Sequence, residues 1–146
     1  MTSFRADAPL RVARPTRNIA AAERFWVEGI GMHIQWRTDN TTSGGHELLM
    51  IGLPGAAWHL ELVADPHAAI ANPPGPEDLL VLYLAGAIPA ELVKRAVSGG
   101  GTVVEPRNPY WARWGVTLRD PDGYLLVLCT RDWRPDARRP SSSPDA

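Results

Sequence analysis

His59 and Glu61 stand two residues apart in an apolar run, Trp58-His59-Leu60-Glu61-Leu62-Val63. On a β-strand, residues two apart share a face, roughly 6.6 Å apart along the chain. An imidazole and a carboxylate at that spacing can act as general acid and base near neutral pH. They can also hold one divalent cation if ligand atoms complete the shell. A second group lies at Asn108, Tyr110, Trp111 and Trp114, with Arg113 among them. It reads as a loop entering a strand, and a tryptophan there offers a stacking surface to a flat ring. Trp111 is the stronger expectation as a ligand contact, because Trp114 is one residue from the strand. The competing use of both tryptophans is a subunit interface. His46, after a Gly-rich turn, and His67, in a Pro-rich stretch, are expected to be solvated. His33 shares a face with Gln35 and suggests no metal. The chain has no GxSxG elbow, no Gly-rich phosphate loop and no CxxC pair.

These residues need elements to hold them. Residues 10–16 alternate as a strand, with Leu10, Val12 and Arg14 on one face and Arg11 and Ala13 on the other. Asn18 is placed to cap a helix over 19–28, whose Ile19, Ala22, Phe25 and Trp26 make one stripe, and Gly29 and Gly31 end it. Strands are expected over 32–37, 46–52 and 58–63, with a turn over 39–45. Alternation puts Trp58, Leu60 and Leu62 against the helix layer and His59 and Glu61 on the other face. Residues 65–77 contain four prolines and read as a linker without a long helix. A strand over 78–84, a helix over 89–98 ending in Gly99-Gly100-Gly101, and a strand over 102–104 follow. Strands over 115–119 and 124–128 flank Asp120-Pro121-Asp122-Gly123, a type I turn closed by a glycine at positive φ. Trp133 is expected to anchor the end of the folded chain.

The order is βαβββ written twice, an α+β architecture. Neither half can bury its helix stripe alone, so the halves are expected to pair, their curled mixed sheets around a shared cleft. The division is a leader over 1–9, a first module over 10–64, a linker over 65–77, a second module over 78–131 and a disordered tail over 134–146.

Composition narrows the partners. A net charge of −1 gives no basis for binding nucleic acid or an anionic membrane. No apolar run reaches the roughly 20 residues of a membrane helix, and the start of the chain has no apolar signal region. The one cysteine, Cys129, cannot close a disulfide within the chain and suits a reducing, cytoplasmic compartment. Six tryptophans in 146 residues exceed what a small core needs and suit a pocket for an aromatic molecule.

The stretches RPTRNIAAAERFWVEGIGM, HLELV, SGGGTVVEP and DPDGYLLVL together resemble the vicinal oxygen chelate superfamily, across residues 10–130. That group includes glyoxalase I, bleomycin-resistance proteins, fosfomycin-resistance enzymes and extradiol dioxygenases. The resemblance implies paired modules around a cleft, a homodimer, and in the metal enzymes one ligand on each of the first, fourth, fifth and eighth strands. Those positions fall here on Arg11, on Glu61, within 79–81 where every residue is apolar, and on Val127. Only Glu61 can ligate in the usual way. Arg11 is then expected beside Glu61, where the pair orients a polar ligand or holds an anion.

The expectation is a small-molecule binding protein of the glyoxalase/bleomycin-resistance type. It would sequester an aromatic or polycyclic compound in a metal-free cleft, as in antibiotic resistance. Arg11, His59, Glu61, Asn108, Tyr110, Trp111 and Trp114 would be the ligand-binding residues, with no cofactor. The alternative is a lyase, isomerase or dioxygenase-like enzyme using Glu61 and His59, with or without one divalent metal ion.

Overall fold

A computed structural model of the chain describes residues 3–39 and 45–134. Most of the turn expected over 39–45 and nearly all of the tail expected over 134–146 lie outside the described residues. Of the leader, residues 3–9 are described and are mostly exposed, with Arg5 paired to Asp7.

The doubled order holds. The first sheet contains β1 (Leu10–Thr16), β2 (His33–Thr38), β3 (Leu48–Gly52) and β4 (Trp58–Ala64), in the order β1-β4-β3-β2. The second contains β5 (Leu79–Tyr83), β6 (Thr102–Val104), β7 (Gly115–Arg119) and β8 (Leu125–Cys129), in the order β5-β8-β7-β6. In each sheet the first and last strands run parallel and the other pairs are antiparallel. The sheets stay separate and do not close into a barrel.

The core lies where the helix faces of the two modules meet. Phe25, Trp26, Leu49, Ile51, Leu60 and Leu62 from the first module pack in one cluster with Ala96, Leu118, Leu126 and Leu128 from the second. Asn18 starts helix α1 (Ile19–Glu23) as expected, its side chain accepting from the Ala21 N–H. The helix expected over 19–28 then changes character, because Arg24–Gly29 is a π-helix. This segment packs on helix α3 (Ala90–Ser98) almost backbone to backbone. A Cβ at Gly99 would stand 2.6 Å from the Arg24 carbonyl oxygen, so only glycine permits that approach. Polar bonds fasten the same seam. Trp26 Nε1 donates to Asp120 Oδ2 at 3.3 Å, the Arg17 N–H donates to Asp122 Oδ1 at 2.8 Å, and the Arg14 guanidinium lies 4.2 Å above the Tyr124 ring.

Several local expectations are corrected. The 65–77 stretch has no long helix, as expected, and adds a short one, α2 (Pro66–Ala71), because Asp65 caps it and Pro66 suits a first helical position. Residues 109–114 are not a loop but helix α4 (Pro109–Trp114). Leu10, on the face it shares with Val12 and Arg14, is exposed, since β1 is an edge strand and its start runs past the core. His46 is not fully solvated, for its Nδ1 lies 3.1 Å from the Ala64 carbonyl oxygen. Trp133, expected as the last anchor, is half exposed. The Asp120–Gly123 turn is as expected, with Gly123 at φ 96° and its N–H donating to the Asp120 carbonyl.

Candidate functional site

Arg11, His59 and Glu61 come together on the face of β1 and β4 that points away from the helix layer. Parallel pairing sets Arg11 opposite His59 and the small Ala13 opposite Glu61, which leaves room for the Arg11 side chain to reach diagonally. Arg11 Nε donates to His59 Nε2 at 2.9 Å, and Arg11 Nη1 donates to Glu61 Oε2 at 3.1 Å. One guanidinium thus holds both neighbours. The Nδ1 atom of His59 is left for another partner. The Arg11 side chain is 53% exposed and that of Glu61 16%, so the pair sits at the rim of solvent.

A metal of the superfamily's usual kind does not fit these residues. A guanidinium, permanently cationic, is bonded to one ligating atom of His59 and to one of Glu61, which disfavours a second cation there. The eighth-strand position is Val127, fully buried, and Val81 faces it from β5. Neither has a lone pair to offer. Among the described residues no three His, Cys, Asp or Glu side chains are grouped to hold an ion.

The aromatic group is built differently from expectation. Asn108 caps α4, its Oδ1 accepting the Tyr110 N–H at 3.0 Å, so its side chain is committed to the backbone. Tyr110 and Trp111 meet edge to face at 4.9 Å. Trp114 has guanidinium groups over its ring, Arg131 at 4.5 Å and Arg113 at 4.9 Å. Its Nε1 is buried without a hydrogen-bond partner. None of the hydrogen bonds, ion pairs or ring contacts of Arg11, His59 and Glu61 reaches Asn108, Tyr110, Trp111 or Trp114. Within one chain these are two groups, one on the first sheet and one on helix α4 of the second module.

A cavity of about 220 Å³ lies between the modules, walled by Met32 and Trp58 from the first and by Leu80, Val81, Leu82 and Leu126 from the second. Trp58, expected beneath the helix layer, is half-buried and forms one of its walls. The cavity is apolar and smaller than the roughly 300–1,000 Å³ of most small-molecule sites. Sequence reasoning missed it, because joining Trp58 to β5 requires the packing of one module on the other.

The groups with displaced titration lie at the seam instead. Burial, together with the nearby Asp122 charge, pushes the Asp120 carboxyl up to about 6, against the pull of the Tyr124 and Asp122 N–H groups and Arg14. Burial also lowers Arg14 and raises Tyr124.

Two open four-stranded mixed sheets, paired through their helix faces, define the glyoxalase and bleomycin-resistance class of the vicinal oxygen chelate fold. Family models described as the YycE-like N-terminal domain and the YycE-like C-terminal domain match residues 10–63 and 77–130. The uncharacterized protein YycE of Bacillus subtilis strain 168 is 36% identical over 128 residues, 87% of this chain and 90% of that one. The chain belongs to the YycE-like family. The crystal structure of a YycE protein of unknown function from Bacillus subtilis matches with a TM-score of 0.78 at 32% identity, covering 93% of this chain and 98% of that one. TnmS3, an antibiotic binding protein from Streptomyces sp. CB03234, matches with a TM-score of 0.59 at 22% identity, covering 90% and 100%. That last likeness is one of fold.

Proposed function

We propose that the chain binds a flat aromatic small molecule against the Arg11–His59–Glu61 face, without a metal and without turning it over. The observation that carries this reading is the single guanidinium bonded to both His59 and Glu61. A fixed, hydrogen-bonding cation and anion orient a polar ligand, whereas a reaction needs an acid, base or Lewis acid left free to act. An antibiotic binding protein on the same fold supports the binding class and says nothing of this chain's own ligand.

The reading includes a cytoplasmic homodimer. Strands β1 and β5 are both sheet edges, and such edges invite a second chain. In this reading the second copy supplies its Tyr110–Trp111 pair to the Arg11 face and closes a cleft that one copy leaves open.

A panel of flat aromatic compounds, titrated while tryptophan fluorescence is followed, tests the reading. At least one compound should bind saturably and lose about tenfold in affinity on Arg11→Met, the worth of a charge-assisted hydrogen bond. A panel without a binder, together with turnover of a small carbonyl compound, would sink it.

A further inference from the structure

Strand β2 contains an irregularity that alters this face. Its register against β3 shifts between Ile34, opposite Ile51, and Trp36, opposite Met50, so Gln35 has no partner of its own. Such a bulge adds one residue to a strand and re-aims the side chains around it. Residues paired across a sheet share a face. His33, Gly52, His59 and Arg11 therefore form one row across the first sheet, and Trp36, Met50 and Glu61 the next. In a regular strand Gln35 and Trp36 would point to opposite sides; the bulge brings both to the side of Glu61.

Gln35 is seated there by a glycine. The point where a Cβ of Gly52 would stand is 2.7 Å from Gln35 Nε2, 3.2 Å from Gln35 Cδ and 3.3 Å from His59 Cβ. The amide thus occupies the notch that the missing side chain leaves, beside His59. Gln35 is exposed, and its side chain makes no hydrogen bond among the described residues. An exposed donor and an exposed acceptor thus lie side by side beside His59.

The neighbours set the chemistry of a complement. Arg11 spends Nε and Nη1 on His59 and Glu61, which leaves Nη2 as a donor, and Glu61 Oε1 remains as an acceptor. The charges of Arg11 and Glu61 cancel, so a neutral ligand fits better than an ion. A ring that carries an N–H beside a C=O answers a donor and acceptor set side by side. The geometry points to Gln35, seated in the Gly52 notch, as the specificity-determining residue of this face: with Arg11 and Glu61 it reads the lactam edge of a flat, neutral ring compound. The inference rests on the binding function proposed above and adds the ligand's chemical class.

The test is an NMR titration of the whole protein with isoquinolin-1(2H)-one, a two-ring lactam, and with its N-methyl derivative, which lacks the donor. The unaltered protein should prefer the lactam by about tenfold, the worth of one or two hydrogen bonds. Gln35→Leu should abolish the preference. Gly52→Ala should do the same, since its methyl group displaces the flexible end of Gln35 and asks His59 Cβ, 3.3 Å away, to give by only a few tenths of an ångström. Both variants should lose affinity chiefly for the lactam and less for the N-methyl compound, a split that general loosening of the sheet would not produce. Melting curves check that each variant folds. If both variants keep the preference while Glu61→Gln loses binding, the role of Gln35 is overturned and the binding reading stands. If the unaltered protein shows no preference for the lactam, the ligand class is overturned; the binding reading falls only if the wider aromatic panel also fails.

Discussion

A single guanidinium sets the character of the polar face. Arg11 stands where the metal enzymes of the superfamily are expected to place a ligand, and it converts His59 and Glu61 from ligands into partners. Its geometry was half legible in the sequence. Spacing put His59 and Glu61 on one face, and the resemblance put Arg11 nearby. The bond from Arg11 to His59 was not legible, because parallel register is a property of two strands. At this scale Asp120 carries the testable titration. Its folded value near 6 lies above the ordinary 3.8, so the folded state holds the proton more tightly than the unfolded chain. The stability it contributes is complete below the ordinary value and is lost as pH rises through about 6. Asp120→Asn keeps an acceptor for the Asp122 and Tyr124 N–H groups and removes that titration. Urea midpoints measured from pH 4 to 7 should therefore fall more steeply in the unaltered protein, by about 2–3 kcal/mol across the range. Parallel curves for the two proteins would contradict the assignment.

Elements were most legible where capping or turn chemistry marks an end. Asn18 and the Asp120–Gly123 turn are examples, as are the glycines after α3. They were least legible where the element is short or irregular. Helix α4 has six residues, too few for a helical stripe to show, and its cap, Asn108, was read as a ligand contact. The Gln35 bulge leaves no trace in composition, although a glycine inside β3 is the kind of signal that marks a close approach. The π-helical segment had no signal either, yet it lets the first helix lie against α3. Gly99→Ala tests that contact. Its Cβ would meet the Arg24 carbonyl oxygen at 2.6 Å, and backbone cannot move aside as a side chain does. The substitution should lower stability by about 1–3 kcal/mol, read as a lower melting temperature; an unchanged melt would mean that the two helices are not held at that distance.

At the scale of the molecule, the doubled βαβββ order was legible because each half repeats the same sequence of periodicities and breakers. How the halves meet was not, since the seam depends on pairs far apart in the chain, such as Trp26 with Asp120 and Arg14 with Tyr124. No helix among the described residues is long and apolar enough to cross a membrane. The seam leaves β1 and β5 unpaired along one edge each. Light scattering should give a mass twice the 16.0 kDa of one chain. A monomer at all concentrations would remove the second copy from the proposed cleft.

The central claim, that Arg11, His59 and Glu61 form a binding face without a metal, meets its most direct test in one titration. An aromatic compound found to bind is titrated by calorimetry into chelator-treated protein and into its Glu61→Gln variant. Binding that is undiminished by the chelator and weakened about tenfold by the substitution is the expected result. Binding that disappears with the chelator and returns on adding one equivalent of a divalent metal would contradict it.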